Sequence, residues 1–243
     1  MIRDLWIGVL RFGFRLLYYE LAWTYNLVSW VVSLGEWRRW QQAARPFVLG
    51  PLVLELGHGP GHMLADLQRD GHTVFGVDLS PFMGRQARRR LHKQGFPTNL
   101  IRAQAQALPL PTAVFNTVLA TFPTEYIVDP HTLAAVQRVL VANGRLIVVP
   151  EGHLTGRSGL HRLIDWLFRI TGQRDGAFSV DDAANWPHPD LWKPFRQRFV
   201  AAGFQLRIEH IRLPRSVATV FIAEKSLNTP HQTAPPADLN SQS

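Results

Sequence analysis

Glu55-Leu56-Gly57-His58-Gly59-Pro60-Gly61 is the stretch that decides how this chain folds. Immediately before it, Leu52-Val53-Leu54-Glu55-Leu56 reads as a short buried strand, and residues 62–69 after it read as a helix that Gly71 closes. Glycines in such a strand-to-helix turn permit backbone angles closed to other residues. They also let main-chain N–H groups approach a ligand closely. A dinucleotide fingerprint needs glycine at the first, third and sixth positions. Counted from Gly57, the sixth position is His62, and the spacing is Gly-x-Gly-x-Gly. The lysine and hydroxyl residue of a phosphate-binding loop are missing as well, which argues against ATP or GTP.

Outward from the turn the pattern repeats. Thr73–Val77 reads as a second strand that ends at Asp78, where a carboxylate can accept hydrogen bonds from both hydroxyls of a ribose. Ser80 is placed to cap the next helix, with Pro81 at its first position. That helix carries Arg85, Arg88, Arg89, Arg90 and Lys93, read as a solvated face. A weak third strand is expected near 99–102 and a clearer fourth at 114–120. Asp129-Pro130 then starts a helix running to Asn143-Gly144, and 145–149 is a fifth strand. Strands alternating with helices predict parallel βαβ units. A helix near 191–202 and strands at about 204–212 and 216–223 follow. The short Leu213-Pro214-Arg215 turn between these strands predicts an antiparallel hairpin.

Three segments break the rhythm. Residues 1–45 are helical in pattern and rich in tryptophan (Trp6, Trp23, Trp30, Trp37, Trp40), and Pro46 and Gly50-Pro51 mark their end. Residues of about 150–190 hold many glycines and Trp186-Pro187-His188-Pro189, which predicts a lid-like insertion with one helix around 160–170. Residues 226–243 have the composition of a disordered tail. The organisation expected is an aromatic segment at 1–45, a domain at 46–225 carrying the insertion, and the tail.

The Gly57 turn, Asp78 and the strand order resemble the class I S-adenosylmethionine-dependent methyltransferases over roughly 52–150. The resemblance implies a doubly wound, mostly parallel, seven-stranded Rossmann-like α/β sheet, with S-adenosyl-L-methionine as cofactor. It implies that Glu55, Gly57, His58, Gly59 and Gly61 lie against the methionine part and that Asp78 holds the ribose. Leu79, Met83, Gln104, Ala105 and Thr121 join them as cofactor contacts. That family usually has Asp-Ala before Leu-Pro-Phe; here Gln104-Ala105-Gln106-Ala107-Leu108-Pro109-Leu110 puts an amide at the acidic position. Asn116 stands where Asp is usual and Asn143-Gly144 where Pro-Gly-Gly is usual, departures that read as structural. Further upstream, Tyr25-Asn26-Leu27-Val28-Ser29-Trp30, Ser33-Leu34-Gly35 and Arg38-Arg39-Trp40 are similar to the start of ubiquinone/menaquinone-biosynthesis C-methyltransferases. This adds Tyr25 to the cofactor candidates and implies a small acceptor.

Methyl transfer mainly asks a protein to position the nucleophile and exclude water. A base helps when the acceptor is a hydroxyl or an acidic carbon. Ligands of open α/β sheets bind at the carboxyl ends of the strands, so Glu125 and Tyr126 after the fourth strand, and Glu151 and His153 after the fifth, are the candidates. The histidines show no metal-ligand spacing.

The 243 residues hold no cysteine, which removes disulfides and any cysteine nucleophile and suits the cytoplasm. The formal charge of +8 would draw nucleic acid, anionic lipid or acidic ligands. Thr121-Phe122-Pro123-Thr124 stands where base-amino methyltransferases carry Asp/Asn-Pro-Pro-Tyr/Phe, so a nucleic-acid partner is not favoured. RNA methylation and a non-catalytic scaffold subunit are the alternatives. The preferred acceptor is a small, largely apolar molecule, of lipid or quinone type. The longest uncharged stretch in the N-terminal segment, Leu21 to Gly35, is shorter than the ~20 residues of a spanning helix. Residues 2–18 read as an amphipathic helix with Leu5, Val9, Phe12 and Leu16 beside Arg11 and Arg15. That pattern suits peripheral contact with the inner face of an anionic membrane.

Overall fold

The computed structural model describes residues 35–155 and 192–225. Its elements are α1 (Trp37–Gln42), β1 (Leu52–Leu56), α2 (His62–Arg69), β2 (Thr73–Val77), α3 (Pro81–Lys93), β3 (Leu100–Ile101), β4 (Phe115–Thr121), α4 (Pro130–Val139), β5 (Leu140–Leu154), α5 (Lys193–Ala201), β6 (Phe204–Leu213) and β7 (Ser216–Lys225). The strands form one seven-stranded sheet in the order β3-β2-β1-β4-β5-β7-β6. The first five run parallel, and β7 pairs antiparallel with both β5 and β6. This is the doubly wound α/β sheet with a C-terminal hairpin that the alternation of elements predicts.

The helix starts follow from local chemistry. The Ser80 side chain accepts from the Met83 N–H at 3.3 Å, and Pro81 occupies the first turn of α3. Asp129 accepts from the His131 N–H at 2.7 Å ahead of α4, again with a proline in the first turn. Both faces of the sheet are covered. On one side Trp40, Ala43 and Ala44 pack with Met63, Leu64, Ala87, Ile147 and Val220. On the other Phe115, Phe199 and Phe221 are fully buried among Leu54, Val118 and Val148. Burying each such side chain stabilises the fold by about 1.5–3 kcal/mol.

Two boundaries differ from expectation. The helix after Asp129 ends at Val139, before Asn143-Gly144, and β5 already begins at Leu140. Asn143, at φ +59°, supports a bend inside the strand and does not end a helix. At its other end β5 continues to Leu154, so residues 150–154 belong to the sheet and not to the insertion. The antiparallel partner explains this: β7 offers Ser216 to Thr219 as ladder partners for 151–154, after a register shift beyond Val148. Pairing thus overrides the proline and glycine at 150 and 152. The expected helix at 160–170, the 2–18 helix and the 226–243 tail lie outside the described residues. Asn116 proves structural, accepting from the Leu52 N–H at 3.0 Å.

Candidate cofactor and acceptor site

The Gly57–Gly61 turn sits between the end of β1 and α2. Gly57, Gly59 and Gly61 have φ values of +65°, +53° and +76°, the left-handed region that glycine enters without strain. A Cβ at Gly61 would stand 2.8 Å from that of Ala87, so this glycine lets α2 and α3 close together. A Cβ on Gly59 would meet nothing within 4 Å: the turn faces an open cradle there. Asp78, at the end of β2, fastens the turn. Its Oδ2 accepts from the Gly59 N–H at 2.9 Å and its Oδ1 from the Ser80 N–H at 2.8 Å. Each oxygen keeps a lone pair for a further donor. The α3 arginine run is not wholly solvated: Arg90 is half-buried and its guanidinium donates to the Pro60 carbonyl, clamping the turn from behind.

Beside this turn, α1 brings polar side chains to the strand ends. Arg38 contacts Asp66 at 2.6 Å. Gln41 donates to Thr121, the last residue of β4, at 3.2 Å. Among the buried atoms in this neighbourhood without a hydrogen-bond partner are Arg38 Nη1, Gln41 Oε1 and Glu55 Oε2. Buried polar atoms are almost always satisfied, so three orphans of complementary type in one region mark a place for a polar ligand. A zwitterionic amino-acid group answers all three, with its carboxylate toward the guanidinium and its ammonium toward the two acceptor oxygens. The residues therefore fit the adenosyl amino acid that the resemblance implies.

Electrostatics agree. Burial pushes Glu55 well above its ordinary value, and nearby Asp78 adds to the rise, while Arg38 pulls it back. Burial would also raise Asp66, but hydrogen bonds from Gln42, Arg38 and Arg69 and the Arg38 charge outweigh it and hold the carboxylate low. His62 is lowered to about 4 by burial and by Arg90 and Arg38, so it stays neutral near pH 7.

The other candidates differ in exposure and position. Leu79 is 50% exposed beside Asp78, and Gln104 is exposed just before a 3-10 turn, Ala105–Ala107, with Ala105 half-buried. Met83 is buried in α3. His58 is also buried; its Nδ1 lies 2.7 Å from the Gly59 carbonyl and its ring lies over Gly76, beneath the turn. Burial lowers its pKa although Asp78 opposes the shift. A cavity of about 250 Å³ opens next to Asp78 and His58, walled by Gly84, Leu100, Ile101 and Arg102. On the acceptor side, Glu125 is exposed on the 3-10 turn Glu125–Val128. Tyr126 reaches back so that its hydroxyl stands 2.8 Å from where a Gly57 Cβ would be and 3.5 Å from the Leu56 carbonyl. His153 lies beyond the parallel end of β5, its Nε2 2.7 Å from Glu151 Oε1. Tyr25 lies outside the described residues.

The sequence reading missed Arg38 and Gln41 as site residues. It noted the Arg38-Arg39-Trp40 stretch but had no means of placing it against the strand ends. It also missed Phe122. This residue holds φ +50° directly after β4 and stacks on Trp37 with ring centroids 3.8 Å apart, and Trp40 lies 6.1 Å away.

Residues 53–144 match the sequence profile of a methyltransferase domain family. The chain is 28% identical over 221 residues to a demethylmenaquinone methyltransferase of Thermus thermophilus, covering 85% of this chain and 98% of that protein. It is 28% identical over 209 residues to the ubiquinone/menaquinone biosynthesis C-methyltransferase UbiE of Shewanella frigidimarina, covering 77% and 81%. Among solved structures it is similar to an S-adenosylmethionine-dependent methyltransferase of Methanosarcina mazei, with TM-score 0.52, 18% identity and coverage of 75% and 97%. A second is a methyltransferase of Thermotoga maritima, with TM-score 0.54, 20% identity and coverage of 84% and 95%.

Proposed function

We propose that this chain, an S-adenosylmethionine-dependent methyltransferase by the domain match over residues 53–144 and its likeness to named methyltransferases, methylates a small, largely apolar acceptor of quinone or lipid type. The observation that carries this reading is the aromatic wall at the strand ends. Trp37 stacks on Phe122 and Trp40 tilts against both, next to Thr121 and hence next to the glycine turn. Phe122 keeps a backbone conformation that costs a bulky residue of order 1–3 kcal/mol, and such strain concentrates at ligand sites. Stacked indole and phenyl faces suit a flat, apolar molecule. The quinone-pathway names of the relatives support the same class.

In this reading the amino-acid end of the cofactor is held by Arg38, Gln41 and Glu55, and its ribose by Asp78. Bound there, S-adenosylmethionine supplies an electrophilic methyl group on a positively charged sulfur. Gly59 keeps the approach to that group free of side chains. Tyr126 places its hydroxyl at Gly57, where it can orient the acceptor. The aromatic wall excludes water and sets the ring plane, so the protein contributes mainly position and a dry site. The acceptor is drawn, in this reading, from an anionic membrane surface, for which the alternation of apolar and basic residues in the sequence of 2–18 is the support. No helix among the described residues is long and apolar enough to cross a membrane.

The test is an assay with labelled S-adenosylmethionine and reduced, short-chain demethylmenaquinone carried in anionic phosphatidylglycerol vesicles. The expected result is a mono-methylated quinone by mass spectrometry, at least tenfold less product with Phe122→Ala, and protein floating with the vesicles. Absence of product from this acceptor and from phenolic and lipid extracts, with cofactor binding intact, would overturn the acceptor class. Protein that stays at the bottom in low salt would overturn the membrane contact.

A further inference from the structure

Asp66, in the middle of α2, is almost wholly buried, with 3% of its surface exposed. A carboxylate in that position needs donors around it, and three side chains supply them. From α1, Arg38 Nη2 donates to Oδ2 at 2.6 Å and Gln42 Nε2 donates to the same oxygen at 3.2 Å. Residues four apart share one face of a helix, so a single carboxylate engages both. From the last turn of α2, Arg69 Nη1 donates to Oδ1 at 2.5 Å. Burial works against the charge, but the Gln42 bond, the Arg38 charge and the Arg69 and Arg38 bonds outweigh it, so Asp66 stays ionised.

Arg38 is only half engaged by this contact. Its Nη2 is on Asp66, while its Nη1 is buried without a hydrogen-bond partner. Gln41 is divided in the same way: Nε2 donates to Thr121 Oγ1 at 3.2 Å, and Oε1 is buried and unpartnered. Each of these α1 side chains is thus fixed by one atom and presents the other. One buried carboxylate between two guanidiniums leaves a positive charge in excess. Arg69 has both terminal nitrogens engaged, since its Nη2 donates to Gln94 Oε1 at 2.5 Å, so the unused donor belongs to Arg38. Docking of α1 on the sheet has other supports. Trp40, Ala43 and Ala44 pack into the core, Glu36 accepts from the Ser216 hydroxyl, and Arg45 pairs with Asp70 at 2.5 and 2.8 Å. What Asp66 adds is direction: a guanidinium is planar, and a short bond to one terminal nitrogen constrains where the other points.

We propose that Asp66 is a positioning residue for the amino-acid end of the cofactor: it aims Arg38 Nη1 at the ligand's carboxylate and so makes the site select adenosyl amino acids over nucleosides that lack that end. The inference rests on the reading of Arg38, Gln41 and Glu55 as the place of the amino-acid group. Asp66 acts through Arg38, because both of its oxygens are already taken by protein donors. A charged bond to a pre-aimed guanidinium gains more than one to a guanidinium that must first be ordered. A nucleoside ending at the sulfur has no group for Arg38 to meet, and its affinity is indifferent to Asp66.

The experiment is calorimetric titration of the full-length protein with S-adenosylhomocysteine and with 5′-methylthioadenosine, the same nucleoside without the amino-acid group. Wild-type protein should bind the first at least tenfold more tightly. Asp66→Asn, which keeps the volume and removes the charge, should weaken S-adenosylhomocysteine at least fivefold and leave methylthioadenosine within twofold. The unchanged nucleoside affinity also shows that the variant is folded. In an Arg38→Ala background the same substitution should change S-adenosylhomocysteine binding less than twofold, because the residue through which it acts is gone. The proposal is overturned if Asp66→Asn binds S-adenosylhomocysteine within twofold of wild type, if it weakens both ligands alike, or if its effect persists undiminished without Arg38. Equal wild-type affinity for the two ligands, or an Arg38→Ala variant that keeps the preference, would overturn the amino-acid site itself and this inference with it.

Discussion

Among single residues, buried Glu55 couples folding to cofactor binding. A carboxyl held well above its ordinary value near 4.5 keeps its proton in the folded chain where the unfolded chain has lost it. Its contribution to stability is therefore full below that value and is lost as the pH rises through the elevated range. Cofactor binding pulls the other way, since an ammonium next to Glu55 Oε2 favours the charged carboxylate. Binding should release a proton between the two ranges, and affinity should rise with pH across them. Calorimetry in buffers of different ionisation enthalpy, between pH 5 and 9, measures that proton; Glu55→Gln should abolish the release. Proton uptake by the wild type would contradict the assignment. Arg38 and Gln41 show why this corner was illegible beforehand. Their identity gives no hint of which strand they will meet, and only the docking of α1 on the sheet puts them beside Glu55.

Among the elements, α1 and the β5–β7 ladder are the ones that build the site. Trp40 of α1 packs into the gap left by Gly152 of β5, and buried Glu36, just before α1, accepts from the Ser216 hydroxyl of β7 at 2.9 Å and pairs with Arg39. Gly152→Ala should therefore force Trp40 outward, destabilise the fold by about 1–3 kcal/mol, and weaken cofactor binding at least fivefold by moving Arg38 and Gln41. Thermal unfolding and calorimetry read the two effects; unchanged affinity in a destabilised variant would separate α1 from the cofactor. The element boundaries divide by the kind of signal. Those set by local chemistry, such as Ser80-Pro81, Asp129-Pro130 and the Gly57 turn, were legible in the sequence. The length of β5 was not, because Pro150-Glu151-Gly152 becomes strand only through a partner some 65 residues away in sequence.

For the whole molecule, parallel strands bring candidates from separate stretches of the described residues to the carboxyl ends of the sheet. The glycine turn, Asp78, α1, Tyr126 and the upper part of β5 converge there from separate stretches of the chain. That convergence was partly legible: Gly57, Gly59 and Asp78 announce themselves by spacing. The aromatic wall was not, because Trp37, Trp40 and Phe122 become neighbours only when α1 docks beside the end of β4. The most direct test of the account is calorimetric titration of the full-length protein with S-adenosylmethionine and S-adenosylhomocysteine. Micromolar binding of both is expected, corresponding to roughly −8 kcal/mol. Binding should be lost in Gly59→Val, whose side chain fills the cradle, and weakened at least tenfold in Asp78→Ala and Arg38→Ala. Absence of binding by folded wild-type protein, or binding indifferent to all three substitutions, would contradict it.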